Sequence, residues 1–410
     1  MVEIETYGCA VNQADSEAIS GILTASSLLG ADVTVVNTCT VKSPTESKIL
    51  RRLRQLKSGG RKVVVAGCIP AARPAVADEF PTFSFIGVNS RDVAEAVRCA
   101  QDGRRYVNIS TESDGPGLPC IAGNPLIAIV QISAGCLGSC SYCQTKLARG
   151  NLKSFRESDI KDKVEHAIVE GAKEVWLTSQ DTGAYGLDIK SNLPSLLSLI
   201  LSLDGDFRVR VGMMNPNHAL RMLDDLVEAY MGEKVYKFLH LPVQSGDDGV
   251  LKDMNRLYTV GEFREVVSAF SKLNVTLSTD VIVGYPTETK EAFENTLKLI
   301  EEVKPDVLNV TRYWPRPGTR AAGLKPVVGS EVKCRSRLVN ALFKQVGLER
   351  NSRWVGWKGK ALISEVNPDG TFTARNDWYK PIVVEGGRLG EKVNVNVIRA
   401  TYYDLRGETT

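Results

Sequence analysis

The ten residues AGCLGSCSYC, from Ala134 to Cys143, constrain this chain more than any other stretch. They contain three of its nine cysteines at C-x3-C-x2-C spacing, Cys136, Cys140 and Cys143, which we call the central trio. A structural zinc site takes four protein ligands, and this loop offers three. Three thiolates suit a [4Fe-4S] cluster whose fourth iron stays open to a small molecule. A structural zinc loop and three unrelated buried cysteines are the alternatives, and the ligand count disfavours both.

A second set of three cysteines follows predicted strands near the N-terminus. Apolar, β-branched segments alternate there with helical ones and predict an open parallel α/β sheet, with strands at 2–6, 31–37, 61–66 and 83–86. The cysteines after the first three strands are Cys9, Cys39 and Cys68, which we call the N-terminal trio. Parallel strands end at one common edge, where ligands bind. The trio therefore predicts a second cluster, with separate buried cysteines as the alternative. Asn12 is expected to cap the helix after Cys9.

Changes in composition along the chain predict three domains. A Gly-, Pro- and Asp-rich linker precedes six further strand–helix units, which predict a partial (β/α)6 barrel with its site at the strands' carboxyl ends. Helices of this barrel are expected at 158–170, 193–203, 218–230, 260–273 and 290–303. A basic helix at 332–353, with its cationic face in solvent, leads to short β-rich runs that predict a small antiparallel β-barrel. The predicted domains are 1–115, 122–350 and 354–410.

The overall composition is that of a water-soluble globular protein, with 43% hydrophobic and 24% charged residues. No apolar run approaches the ~20 residues that span a bilayer, and the N-terminus has no signal pattern, so a cytoplasmic protein without membrane contact is expected. Many cysteines in such a protein indicate metal or redox chemistry rather than disulfides. Cys99, Cys120 and Cys334 have no comparable placement and are interpreted as structural. With only three histidines, acid–base catalysis by histidine is not expected.

The central trio, with Tyr142 before its last cysteine, resembles the signature of the radical S-adenosylmethionine (radical SAM) superfamily. The resemblance implies that the open iron binds S-adenosylmethionine and that one electron cleaves it to a 5′-deoxyadenosyl radical. The N-terminal contexts YGCAVNQAD, VNTCTV and VAGCIP look like those of the methylthiotransferases within that superfamily. This closer resemblance implies an auxiliary [4Fe-4S] cluster on the N-terminal trio, implicated in sulfur insertion, and hence two clusters in all. The tail resembles a TRAM domain, an RNA-binding barrel.

Further motifs of the barrel match the family and imply contacts to cofactor and substrate. HLPVQSG, DVIVGYPTET and YWPRPGT resemble the family's H-x-P-x-QSG, D-x-I-x-G-[FY]-P-x-E-T and Y-x-P-R-P-G-T. The residues implied to bind the cofactor are Tyr142, Gln180, Asp181, Gln244, Ser245 and Gly284. Asp181 has a turn or helix-cap role as its alternative, and Gly284 is expected where the ligand's ring approaches the backbone. The residues implied to contact an anionic substrate are Lys146, Arg149 and Arg316.

Longer stretches, such as GCLGSCSYCQTKLARGNLKSF and FLHLPVQSGDDGVL, look like the archaeal and eukaryotic branch of the methylthiotransferases. That branch implies methylthiolation at C2 of N6-threonylcarbamoyladenosine beside the anticodon of tRNA. Implied partners are the tRNA anticodon loop, a low-potential electron donor such as a ferredoxin or flavodoxin, and a sulfur donor. The alternatives within the family are isopentenyladenosine in tRNA and an aspartate of a ribosomal protein. A non-catalytic iron–sulfur RNA-binding protein is the alternative outside it.

Overall fold

The N-terminal part is a five-stranded parallel sheet with helices on both faces. The computed structural model describes residues 2–409. The strands, adjacent in chain order, are β1 (Glu3–Thr6), β2 (Thr34–Thr38), β3 (Val63–Gly67), β4 (Ser84–Ile86) and β5 (Val107–Asn108). The helices are α1 (Ala10–Ala25), α2 (Ser43–Ser58), α3 (Cys68–Ala72), α4 (Val76–Glu79) and α5 (Val93–Gln101). The predicted parallel sheet is confirmed, and its four predicted strands are present. The two-residue β5 carries no pattern and was not predicted.

Helix α1 begins earlier than its sequence predicts. Asn12 lies inside the helix rather than at its cap, and Cys9 holds the cap position with extended backbone. The Asn12 amide is used elsewhere, because its nitrogen donates to the carbonyls of Tyr7 at 2.9 Å and Thr38 at 2.7 Å. The side chain therefore joins the ends of β1 and β2 and places Cys9 beside Cys39.

Six parallel strands then form an open barrel, as predicted. They are β6 (Ile127–Gln131), β9 (Glu174–Thr178), β10 (Arg208–Val211), β11 (Phe238–His240), β12 (Thr276–Val283) and β13 (Val307–Arg312). Two further short strands, β7 (Ser133–Ala134) and β8 (Lys153–Ser154), form a separate antiparallel pair. The helices are α6 (Thr145–Arg149), α7 (Glu157–Val169), α8 (Leu193–Leu201), α9 (Pro216–Arg221), α10 (Leu223–Met231), α11 (Asp248–Asp253), α12 (Val260–Ser271), α13 (Lys290–Val303) and α14 (Gly329–Ser352). Strands β6-β9-β10 and β11-β12-β13 form two parallel groups that a single bridge joins between Val209 and Val235. Apolar side chains of these strands and of the helices that cover them form the largest core cluster.

One predicted helix, over 218–230, is two helices. Met222 leaves the helical region, at φ −133° and ψ 31°, and separates α9 from α10. The break keeps α9 at the carboxyl ends of the strands. There the Nδ1 atom of its His218 lies 2.7 Å from an oxygen of Asp181.

The tail is a closed five-stranded barrel of β14 (Lys358–Val366), β15 (Phe372–Arg375), β16 (Pro381–Val384), β17 (Lys392–Ala400) and β18 (Leu405–Thr409). The predicted small barrel is confirmed, with one difference: β16 and β18 pair in parallel, which closes it. The tail docks against the amino ends of the central strands, where Tyr379 packs on Tyr236 and Phe238. None of the helices in the described residues is long and apolar enough to cross a membrane.

Buried ion pairs fasten this junction, so the basic helix α14 does not present a wholly solvated cationic face. The carboxylate of Asp306 lies 2.7 Å from Lys380 Nζ of the tail and 2.8 Å from Arg350 of α14. Arg335, also on α14, is buried against Glu288 at 2.7 Å. Burial raises the pKa of the Asp306 carboxyl, but Lys380 and Arg350 outweigh it and hold that pKa below its usual value.

Replacing Asp306 by alanine is expected to lower the free energy of unfolding by about 3–5 kcal/mol, because it leaves Lys380 buried without its counter-ion. Denaturant unfolding measures the change. The matched control is Glu302→Ala, which breaks an exposed pair with Arg264 and should cost less than about 1 kcal/mol. Equal losses in the two variants would contradict the prediction. The Asp306 contribution should persist above a pH of about 4 and disappear as the pH falls through the lowered folded-state pKa.

A candidate two-centre active site

The central trio lies on the loop after β7, at the carboxyl end of the first barrel strand. All three thiols are free and half-buried. Cys143 accepts a hydrogen bond from the backbone N–H of Thr145 at 3.3 Å, and α6 begins directly after it. Sulfurs that bind iron commonly accept such hydrogen bonds.

The segment from Asp253 to Arg256 supports this loop, and no sequence pattern indicated its role. Asn255 Nδ2 donates to the Ser139 carbonyl at 2.7 Å, and Ser141 Oγ donates to the Asp253 carbonyl at 2.9 Å. Arg256 Nη1 donates to the Cys140 sulfur at 3.1 Å. A guanidinium against a sulfur stabilises a thiolate, so this contact fits an iron ligand.

The chemistry of the central trio fits a [4Fe-4S] cluster. Burial raises the pKa of Cys136 to about 12 and raises that of Cys143. Thiolates at these positions therefore require a cation, and iron supplies one. Within residues 2–409, no three His, Cys, Asp or Glu side chains converge as ligands of one metal ion. A cluster does not require such convergence, because each thiolate binds a different iron.

Two sulfurs of the N-terminal trio approach one amide oxygen, and the third lies beside them. The sulfurs of Cys9 and Cys68 lie 3.8 and 3.7 Å from Asn12 Oδ1. Cys39 lies against Gly8, the residue before Cys9, since a methyl group added to Gly8 would come within 2.9 Å of the Cys39 sulfur. Cys39 and Cys68 are buried and Cys9 is exposed, and all three thiols are free. Burial raises the pKa of Cys39 to about 12, so this donor set also suits a cationic iron cluster.

The two trios belong to loops that touch. Ala71 of α3, the helix that begins at Cys68, packs against Ala148 of α6. The residues that follow Cys39 and Cys143 are also bonded, because Thr40 Oγ1 donates to Gln144 Oε1 at 2.6 Å. Gln144 Nε2 then donates to the Pro317 carbonyl at 2.6 Å. The predicted convergence of strand-end cysteines thus extends to a direct contact between the two domains.

Two of the predicted substrate residues have protein partners in this interface. Arg316 is buried and contacts Glu46 at 3.1 Å and Thr40 Oγ1 at 2.9 Å. Arg149 is buried as well and pairs with Asp15 of α1 at 2.5 Å. Both arginines therefore hold the N-terminal sheet on the barrel. The third, Lys146, donates to Ser139 Oγ at 3.2 Å beside the central trio, and its contact with a substrate stays a prediction.

Two of the predicted cofactor residues follow β9. Gln180 Oε1 is buried and has no hydrogen-bond partner among the described residues, so it fits an amino group of a ligand. Asp181 accepts hydrogen bonds from the backbone N–H of Asn215 at 3.0 Å and of Gly183 at 3.2 Å. Together with the His218 contact, these bonds give Asp181 the turn role that the sequence left open. It contributes by shaping the loop around Gln180.

Of the remaining predicted cofactor residues, Gln244, Ser245 and Gly284 follow the strands β11 and β12, whereas Tyr142 belongs to the loop of the central trio. Gln244 has a left-handed φ of 70° and pairs with Val281 in an isolated parallel bridge, and Ser245 is fully buried beside it. Tyr142 packs edge-on against Tyr285. The protein itself already favours glycine at 284, because φ there is 76° and a side chain would strike Val332 of α14 at 2.5 Å. Ligand contacts of these four residues stay predictions.

Histidine is more involved at this end of the barrel than its scarcity suggested. His240 Nε2, at the end of β11, lies 2.8 Å from an oxygen of Asp280, within the neighbouring strand β12. Burial raises the pKa of Asp280, but the contact with His240 outweighs burial and holds that pKa below its usual value, so the charged carboxylate is favoured. The pair is partly exposed, and the charge of Lys42, the residue before α2 in the N-terminal part, also lowers the pKa of Asp280.

A partial barrel of six parallel strands, with three free thiols at C-x3-C-x2-C spacing after its first strand, defines the class of radical SAM enzymes. The model of the radical SAM superfamily matches residues 130–300, that of the uncharacterized protein family UPF0004 matches residues 1–86, and that of the TRAM domain matches residues 354–410. The fold resembles that of the radical S-adenosylmethionine methyltransferase TsrM from Kitasatospora setae, with a TM-score of 0.56 at 13% identity over 78% of this chain and 74% of that one.

Full-length relatives define the family. A "Probable threonylcarbamoyladenosine tRNA methylthiotransferase" of Archaeoglobus fulgidus is 46% identical over 99% of this chain and 98% of the relative. A "Threonylcarbamoyladenosine tRNA methylthiotransferase" of Homo sapiens is 35% identical over 99% of this chain and 73% of the relative. The chain belongs to the threonylcarbamoyladenosine tRNA methylthiotransferase family. It is a radical SAM methylthiotransferase, and the family implies S-adenosylmethionine and a [4Fe-4S] cluster as cofactors.

Proposed function

We propose that this enzyme converts N6-threonylcarbamoyladenosine beside the anticodon of tRNA into its 2-methylthio derivative. The observation that carries the proposal is the contact between two loops of free cysteines, one on each domain, through Thr40 and Gln144. Sulfur insertion into an unactivated ring carbon needs a radical generator and a sulfur carrier close together. The central trio would supply the position of the radical generator, and the N-terminal trio would supply that of the sulfur carrier.

The central trio is proposed to hold the cluster that S-adenosylmethionine binds. When bound, that pair supplies the 5′-deoxyadenosyl radical that activates C2 of the adenine. Arg256 would stabilise the Cys140 thiolate, and the unpartnered Gln180 Oε1 would accept a hydrogen bond from the amino group of S-adenosylmethionine. Tyr142 would line the site beside the central trio, and Gln244, Ser245 and Gly284 would line it from the loops after β11 and β12.

The N-terminal trio is proposed to hold a second [4Fe-4S] cluster and the sulfur to be transferred. Buried Cys39 and Cys68 would keep that sulfur away from bulk water, and exposed Cys9 leaves one side of the site accessible. The methyl group would come from a second S-adenosylmethionine. A low-potential donor such as a ferredoxin or flavodoxin would supply electrons, and a separate sulfur donor would reload the site.

The C-terminal barrel is proposed to bind the tRNA, with the anticodon loop reaching the two trios and its base splayed out of the stack. Tyr403, 74% exposed, is available for stacking on a base. A tRNA substrate would place the enzyme in the cytoplasm. The domain limits 1–115, 122–350 and 354–410 stay predictions.

Mass spectrometry of nucleosides from a deletion strain tests the substrate. The 2-methylthio derivative of N6-threonylcarbamoyladenosine should disappear, its precursor should accumulate, and the intact gene should restore it. Loss of the isopentenyladenosine derivative, or of a methylthiolated ribosomal aspartate, would instead identify one of the other family substrates. A purified, reconstituted protein that releases no 5′-deoxyadenosine would support the non-catalytic alternative.

A further inference from the structure

Arg149 is the one guanidinium that reaches from the radical SAM barrel into the N-terminal trio, within the described residues 2–409. It ends α6, six residues after Cys143, and its side chain is 1% exposed. Its Nη2 atom donates to Asp15 Oδ2 at 2.5 Å and to Asn12 Oδ1 at 3.1 Å. Asp15 also accepts from Gln131 Nε2 at 2.6 Å, so its negative charge is shared between two donors.

The acceptor of Arg149 is the same oxygen that the cysteines approach. Asn12 Oδ1 lies 3.7 Å from the Cys68 sulfur and 3.8 Å from the Cys9 sulfur, so the guanidinium and two thiols meet at one atom. The other terminal nitrogen, Arg149 Nη1, is buried and has no hydrogen-bond partner in the described part of the chain. A buried N–H without an acceptor costs about 1–3 kcal/mol. The guanidinium that contains this unused donor therefore lies close to the sulfurs of Cys9 and Cys68.

We propose that Arg149 Nη1 donates to an anionic sulfur ligand, of the hydrosulfide class, held at the open position of the N-terminal trio. The inference rests on the proposed second cluster, and it extends that proposal by giving the sulfur a protein contact from the other domain. The sulfur site is then complete only when the barrel is docked on the N-terminal sheet. Arg149 is a binding residue for the sulfur and not only a link between domains.

The opposing explanation is that Arg149 only docks the two domains through Asp15. The two explanations predict opposite effects on sulfur binding when the negative charge of Asp15 is removed. If the ion pair is purely structural, removal of either partner weakens the site in the same direction. If Arg149 binds an anion, removing its positive charge weakens sulfur binding, whereas removing the negative charge of Asp15 strengthens it.

The test uses the full-length chain with the central trio replaced by alanine, so that iron can assemble only at the N-terminal trio. After anaerobic reconstitution, the reduced protein is titrated with sodium sulfide, and sulfide binding is followed by the change in the electron paramagnetic resonance spectrum. In this background Arg149→Met should weaken sulfide binding roughly tenfold or more, Arg149→Lys should weaken it less, and Asp15→Asn should strengthen it. The control is Arg335→Met, which removes another buried, ion-paired arginine and should leave sulfide affinity unchanged.

The outcomes separate this inference from the proposed function. If the parent chain assembles no cluster, the proposed second cluster fails, and this inference fails with it. If the cluster assembles but Arg149→Met binds sulfide like the parent, only the inference fails. The inference also fails if Arg149→Met and Asp15→Asn weaken binding alike, because that is the result expected of a purely structural ion pair. Should the methionine variant not fold, the opposite shifts of Arg149→Lys and Asp15→Asn still decide.

Discussion

Cys140→Ala is expected to abolish cleavage of S-adenosylmethionine, lowering 5′-deoxyadenosine release by more than the roughly 100-fold that loss of an outer-shell contact costs. The variant removes one of three iron ligands and leaves Arg256 without the sulfur it contacts at 3.1 Å. The two remaining thiols are too few to bind the three irons of a [4Fe-4S] cluster that leaves only one iron open. Iron content should therefore fall from about eight to about four atoms per chain, since the N-terminal trio is untouched.

Cys334→Ala is the matched control for this experiment, because Cys334 is an exposed cysteine of α14 outside both trios. It should retain full iron content and full 5′-deoxyadenosine release. Cleavage at the parent rate in Cys140→Ala would show that the central trio is not the radical-generating site. Assays without tRNA and with tRNA distinguish loss of chemistry from loss of RNA binding.

Cys39→Ala is expected to have the complementary effect, with 5′-deoxyadenosine still released and no methylthiolated nucleoside formed. Cys39 belongs to the other trio, and its neighbour Thr40 makes the hydrogen bond to the barrel. Loss of one ligand should prevent assembly of the second cluster and with it the delivery of sulfur. The measurement is the ratio of methylthiolated nucleoside to 5′-deoxyadenosine, which should fall to zero within detection.

Cys99→Ala is the control here, since Cys99 is a cysteine of the same domain that is as buried as Cys39 but lies on α5, outside the trio. Because both substitutions remove one buried sulfur, a general loss of stability would affect them equally. Methylthiolated product from Cys39→Ala would refute a sulfur role for the N-terminal trio. Loss of product in both variants would point to instability of the sheet.

The sequence was sufficient for the architecture and for the six cysteines as candidates. Parallel strands and their helices have local patterns, and the ends of neighbouring parallel strands must lie at one edge. The position of Cys9, Cys39 and Cys68 after successive strands therefore predicted their meeting. Short or irregular pieces carried too little pattern, which is why β5 and the break at Met222 were not predicted.

The chemistry around the cysteines depended on contacts that no local pattern contains. Arg256 meets Cys140 across 116 residues, and Thr40 meets Gln144 across 104. Gly284 matched a family motif, but its need for glycine comes from Val332 on α14, which packs against it only in the folded chain.

The amino-acid sequence is thus enough to identify the kind of protein: two sets of three thiols, each at a strand end, on a radical SAM barrel and its N-terminal partner. Which charged groups contact these thiols depends on the folded chain. Arg149 looked like a substrate contact because it follows the central trio by six residues, and the fold pairs it with Asp15, 134 residues away in the chain. A strand pattern reports where a backbone goes, whereas the partner of a buried charge depends on which distant surface packs against it.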